Sequence, residues 1–337
     1  MFHQTLIKSI ALIILVAVGI AYTLTTGYFG KELVIEAATL AMVAISLDLI
    51  AGFGGMISLC HGAIFGVGAY TYAALTVLYG IDPIAAFAVA IVASGVFGFA
   101  VGAVTSRTHG IFFIMATLAF GQMAYVTAFE SRTLGGDDGL AGVPRLDFSA
   151  LGIDFNDSTQ FALFAIALAV LVYVIAAFVL RSGFGRTLVG IHVNEARMRA
   201  VGLTVWSYKA AAFGISGALA GLGGAIAAQQ TMFVSPELMV WMVSGTVLMV
   251  VIFGGLGTLV GPAIGAVVWV FLKHEISSAT PYWHIVAGAV LILTIVAGGR
   301  GLYGQIEHMI ETRRAKTPKA PSAPSAAPIG QESETHA

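Results

Sequence analysis

The sequence predicts an all-α polytopic membrane helix bundle with about ten transmembrane helices. Three observations carry that reading. Of 337 residues, 58% are hydrophobic before any of the 41 glycines is counted, against about 45–50% with glycine included in soluble domains. Charged residues make up 10%, where about 25% is usual, and so few cannot cover a soluble fold of this size. The apolar residues also gather into runs of roughly 20, the length that crosses a hydrocarbon core. An ordinary soluble enzyme and a disordered chain are thereby excluded. The net charge of −1 leaves no basic footprint for nucleic acid.

In chain order the runs lie at 6–26, 33–53, 57–79, 83–106, 110–130, 160–180, 209–230, 238–256, 259–273 and 282–299. Lys8 ahead of Ile10 to Ile20 resembles the charged and apolar regions of a secretory signal, but the runs that follow favour a retained helix. Ser58, His61 and several glycines interrupt the third run, and only Gly254-Gly-Leu-Gly257 separates the eighth from the ninth, so the count turns on those two places. Two long polar segments remain, 131–159 and 181–208. From about Glu311 the chain is rich in Ala, Pro, Ser and Lys without an apolar period, which reads as a solvated, disordered tail. The organisation is a first helix and short loop over 1–32, a core over 33–305 and a tail over 306–337.

Lys and Arg near the helix ends set the orientation. With both termini in the cytoplasm, twelve fall on inside segments, among them Arg181, Arg186, Arg197, Arg199 and Lys209, and four fall outside. This predicts a multi-pass inner-membrane protein with segment 131–159 external and segment 181–208 cytoplasmic.

Lipid tails give helices no hydrophobic reason to associate, so small residues that let backbones approach become the packing device. The pairs Gly62/Gly66, Gly98/Gly102, Gly217/Gly221 and Gly261/Gly265 have the required spacing. Phe53-Gly-Gly-Met-Ile-Ser-Leu59 and Phe253-Gly-Gly-Leu-Gly-Thr-Leu259 echo each other at an offset of 200 residues. Duplicated halves and chance both account for the echo. Glycines of this kind break helices at membrane depth, where broken backbone must be buried or line a cavity.

An ionisable group inside a span costs about 2.5–3.5 kcal/mol on insertion scales, so it faces a partner or a pathway. Glu36 and Asp48 lie in the second run, His61 near the start of the third beside Ser58 and Cys60, and Thr117 and Gln122 in the fifth. Asp48, Ser58, His61, Thr117 and Gln122 are the candidate translocation path, with a buried helix contact as the competing reading. Lys273, His274 and Glu275 read as an interfacial anchor. No His-Glu-x-x-His, no Gly-x-Ser-x-Gly and no phosphate loop occurs, and the single cysteine, Cys60, forms no disulfide within the chain. No catalytic residue, cofactor or metal is expected, and any uphill transport needs an ion gradient or another chain.

Within segment 181–208, Asn194 reads as an N-cap with Glu195 in the first turn, and Gly202 as the stop of a short helix. Val193, Ala196 and Ala200 share one side, with Arg197 and Arg199 nearby. Such a helix needs either a protein surface or the lipid interface to lie on.

Ser58-Leu-Cys-His-Gly-Ala-Ile-Phe-Gly-Val-Gly-Ala-Tyr70 resembles the signature of LivM-type permeases, the membrane subunits of branched-chain amino acid importers of the ATP-binding cassette class. Further words agree in order: Ser46-Leu-Asp-Leu49, Thr117-Leu-Ala-Phe-Gly-Gln122, Gly135-Gly-Asp-Asp-Gly-Leu140, Gly183-Phe-Gly-Arg186, Tyr208-Lys209, Ser235-Pro236, Phe253-Gly-Gly-Leu-Gly257 and Arg300-Gly-Leu302. Cys60 stands where that signature usually has Gly, and Gly62 where it has Ala. The resemblance covers roughly residues 33–305 and implies the importer permease fold. It implies that Asn194, Glu195, Ala196, Arg197, Arg199, Ala200 and Gly202 form a coupling helix for cytoplasmic ATPase subunits. It also implies a second homologous permease subunit, a periplasmic substrate-binding protein and alternating access, with the chain itself performing no covalent chemistry. A self-sufficient ion-coupled transporter using Glu36, Asp48 and His61 is the competing class.

Overall fold

The computed structural model describes residues 6–148 and 154–279, with scattered positions from 285 to 292. Apart from those scattered positions the expected tenth run lies outside them, as do the tail over 306–337 and the first five residues. The described chain is helical almost throughout: α1 Leu6–Thr25, α2 Tyr28–Ala51, α3 His61–Ala73, α4 Pro83–Thr105, α5 Ile111–Glu130, α6 Ser158–Arg181, α7 Gly183–Val193, α8 Glu195–Ala200, α9 Val205–Thr231, α10 Trp241–Gly254 and α11 Val260–Ala279. Six spans are long and apolar enough to cross a membrane, α2, α4, α5, α6, α9 and α3 with the π-helical turn Ala74–Leu78 that continues it, and α10 is a shorter apolar helix.

The helices start where local chemistry dictates. Pro83 occupies the first turn of α4, and Asp82 Oδ2 accepts from the backbone of Ile84 at 3.0 Å and Ala85 at 3.2 Å. Asp157 caps α6 by accepting from Thr159 N at 2.9 Å. α2 is apolar on all sides, which marks a helix enclosed by others. Ile35, Met42, Leu47, Leu49 and Ile50 on it are fully buried, and α6, α9, α10 and α11 surround it.

Close backbone approach holds the bundle, as the glycine spacing predicts. A Cβ at Gly98 would lie 3.1 Å from the Cα of Gly217, so α4 and α9 pack nearly backbone to backbone. Likewise a Cβ at Gly265 would lie 2.6 Å from the carbonyl oxygen of Val250, which brings α10 against α11.

Three elements depart from the sequence expectation. The third run does not start as a helix at 57: residues 52–60 form an irregular connection, and α3 begins only at His61. The run 238–256 opens as a 3₁₀ turn, Pro236–Met239, so α10 has 14 residues. Within 181–208 a second helix, α7, precedes the expected one. A Cβ at Gly185 would lie 2.4 Å from the Cα of Leu180. The glycine is there for the sharp α6–α7 corner, and helix follows at once.

Successive spans alternate direction, which gathers the connections at two ends. One end holds residues 52–60, the α4–α5 turn, α7 and α8. At the other end, the described residues of segment 131–159 fold onto the bundle. Leu140–Ala141 (β1) pairs antiparallel with Phe233–Val234 (β2), Tyr72 Oη donates to Pro144 O at 2.9 Å, and Arg145 lies 4.5 Å above the ring of Phe161.

Candidate translocation and coupling site

The second of the two echoing glycine segments packs against the end of α2, just ahead of the first. A Cβ at Gly52 would lie 2.4 Å from the backbone nitrogen of Gly257. Asp48, fully buried, reaches across: Oδ1 accepts from Gly257 N at 2.6 Å and Oδ2 from Leu259 N at 2.9 Å. These are amides just before α11, which have no partner within the helix and form its positive end.

His61 sits beside this junction, also fully buried. Its Nε2 lies 2.8 Å from Ser216 Oγ, and Ser216 Oγ donates to Ser46 O at 2.5 Å. With that hydroxyl proton committed, Nε2 is the donor toward Ser216. Nδ1 then accepts from Ser58 Oγ at 3.3 Å, while Ser58 Oγ accepts from Cys60 N at 3.1 Å. Thr117 Oγ1 accepts from Leu59 N at 3.2 Å, and Ser244 Oγ accepts from Gly62 N at 2.8 Å. Three of the five candidate path residues, Ser58, His61 and Thr117, therefore join in holding the broken α2–α3 connection, and a fourth, Asp48, ties α2 to the connection ahead of α11. The fifth, Gln122, has a buried Oε1 with no hydrogen-bond partner among the described residues. Ser216 and Ser244 escaped the sequence reading because a lone hydroxyl in an apolar run carries no pattern. Glu36 is elsewhere, paired with Lys273 at 3.0 Å.

At the same end of the bundle, Asn194 Oδ1 accepts from Arg197 N at 2.9 Å and caps α8, and Gly202 takes φ +89 just after it. Both follow the sequence reading. Val193 and Val201 are exposed at 75% and 74%, an unusual display of apolar surface beside exposed Ala196, Arg197 and Ala200. Glu195 points the other way. It accepts from Lys209 Nζ at 2.7 Å and from His109 Nε2 at 3.2 Å, and it pairs with Arg199. Burial alone would raise its carboxyl. The hydrogen bonds from Lys209 and His109, the Lys209 charge and the Arg199 hydrogen bond outweigh that and hold it down at about 2.

A bundle of broken membrane helices with a polar junction and a surface helix pair at one end defines a transport protein of the permease class. Residues 29–295 match the family described as branched-chain amino acid transport system / permease component. The chain is 28% identical over 295 residues to the high-affinity branched-chain amino acid transport system permease protein LivM of Salmonella typhimurium, covering 80% of this chain and 69% of that protein. It is 27% identical to LivM of Escherichia coli over the same shares. It is also 24% identical to the permease protein LivH of Escherichia coli, covering 80% of this chain and 92% of LivH. No solved structure matches the chain. With most of its length matched, the chain belongs to the permease component family of branched-chain amino acid transport systems, as a membrane-embedded transport subunit.

Proposed function

We propose that this chain carries branched-chain amino acids, or a related small polar solute, inward across the inner membrane by alternating access, driven by ATPase subunits that dock on α8. The observation that carries this reading is the exposed apolar and basic face of α8, Val193, Ala196, Arg197, Ala200 and Val201, on a helix too short to cross a membrane. Apolar area of this kind beside arginines fits a protein cleft. In this reading both termini and α8 are cytoplasmic, segment 131–159 faces a periplasmic binding protein, and a second homologous permease completes the path. Similarity to both LivM and LivH supports such a pair. The exposed face of α5, with Met115 and Met123 more than half exposed, is assigned to the second permease. Asp48, Ser58, His61 and Thr117 shape the path through the backbone they hold, and Gln122 offers it a carbonyl oxygen.

An ion-coupled carrier finds less support, because Asp48 is bound to backbone amides and Glu36 to Lys273. The test is affinity purification of the tagged chain from mild detergent, with and without R197E. Co-purification of an ATPase by the native chain and its loss in R197E is the expected result. A native chain that purifies without an ATPase and still moves solute under an ion gradient would overturn the reading.

A further inference from the structure

α7 is seated on the bundle, with Leu188 and Ile191 buried and the Phe184 ring stacked on Tyr208 of α9 at 5.4 Å, whereas no residue of α8 is buried. The ring of His192 rests on Gly55 in the α2–α3 connection: a Cβ there would lie 2.0 Å from Nδ1. Met198 packs back on Gly190 within the segment itself. Among the described residues, Glu195 alone binds the segment by charge, to Lys209 on α9 and to His109 on the α4–α5 turn. Between these contacts lies a cavity of about 300 Å³, walled by Gly54–Ile57, Thr108–Gly110 and Ile191. α8, with no buried residue of its own, is therefore tied to the bundle across this cavity chiefly by Glu195.

The Lys209 side chain is only 8% exposed, and that of Glu195 is 21%. A nearly enclosed ammonium on a partly exposed carboxylate makes a firmer pair than two surface groups, and removing Glu195 leaves the buried Lys209 charge without it. Lys209 stands two turns before Ser216 on the same helix, about 10 Å along its axis. Ser216 is the hydroxyl bound to His61 and Ser46 at the helix junction. A rigid helix thus runs from the Glu195 contact to the polar junction.

We propose that Glu195 is a positioning residue for energy coupling: it transfers displacement of α8 to α9 through Lys209 and to the α4–α5 turn through His109. This rests on the ATPase-driven reading above. The carboxylate is turned into the permease, so its partner is the chain's own Lys209, while Arg197 and the two valines are left for the docking protein.

The test uses the assembled importer in proteoliposomes, with E195Q, K209M, the double variant and the milder H109Q. ATPase retention, ATP hydrolysis and solute moved per ATP are measured together. E195Q and K209M should keep the ATPase and hydrolyse ATP, while solute moved per ATP falls by about tenfold or more. The double variant should be no worse than either single one, because both remove the same link. H109Q, which leaves the Lys209 bond intact, should fold normally and give a smaller loss in the same ratio. Release of the ATPase by E195Q would assign Glu195 to the docking face and overturn the proposal. An unchanged ratio in E195Q and H109Q, or additive losses in the double variant, would overturn it too. A native chain holding no ATPase would sink the transport reading itself, and the coupling role with it.

Discussion

Asp48 and Gly257 join the two helix breaks of this fold: the Asp48 carboxylate accepts from the Gly257 amide at 2.6 Å across 209 residues of sequence. Its other oxygen takes the Leu259 amide at 2.9 Å. A buried carboxylate is costly unless fixed donors replace its water. Here two amides at the start of α11 do so, and the helix dipole adds to them.

Replacing Asp48 should therefore act on stability. D48A removes both acceptors and leaves the buried Leu259 amide unpaired, at about 1–3 kcal/mol, with a smaller loss at the part-buried Gly257 amide. D48N keeps one acceptor and should fall between D48A and the native chain. Thermal unfolding in detergent, followed by gel filtration, orders the three. A native-like melting point for D48A would show that the cap does not hold the junction.

The His61–Ser216–Ser46 chain should behave as one unit. S216A strands the Nε2 donor of His61 and costs about 1–3 kcal/mol, and H61A should cost at least as much. In the double variant the losses should fall well short of their sum, since the residues share one network. Full additivity would separate them into independent packing sites.

Packing makes a sharper distinction between glycines. A Cβ at Gly217 would lie 2.6 Å from the carbonyl oxygen of Ser94, whereas one at Gly245 meets nothing within 4 Å. G217L should push α4 from α9 and abolish a monodisperse preparation, overpacking alone costing about 1–3 kcal/mol. G245A should purify like the native chain. Equal behaviour of the two would argue against the close α4–α9 contact.

What the sequence revealed depended on how local the signal was. Span positions need only hydropathy, and the ends of α8 need only Asn194 and Gly202, so both were readable. Residues 52–60 announced a break through their glycines, but not that Gly52 would rest on Gly257, because that contact is tertiary. Ser216 and Ser244 pair with groups 155 and 182 residues away. The Glu195 contacts to Lys209 and His109 span 14 and 86 residues, separations with no helical period behind them. α7 was hidden because glycine at 183 and 185 serves a tight corner and also lowers helix propensity.

The Glu195 contacts also set a pH dependence. The carboxyl is held at about 2, below its ordinary 4.5, so the stabilisation is complete above 4.5 and is lost as pH falls through about 2. With His109 replaced by Gln in both chains, so that no imidazole faces the carboxylate, the difference in melting temperature between H109Q and H109Q/E195Q should hold from about pH 8 to pH 5 and shrink in more acid solution. A difference that already changes between pH 5 and 8 in that background would mean that the carboxylate is not held in this way.

Gly55 couples backbone strain to the same segment. Its φ is +68, and a Cβ there would strike the His192 ring. G55A therefore carries two penalties: the left-handed conformation, about 1–2 kcal/mol for a residue with a Cβ, and displacement of the ring. H192A removes only the second. G55A should be markedly less stable than the native chain, and G55A/H192A should recover part of the loss, leaving the conformational remainder. The connection that Gly55 opens leads into Ser58 and His61, so uptake should follow the same order as stability. If H192A fails to relieve G55A, the ring is not the obstacle, and α7 is not seated on the α2–α3 connection.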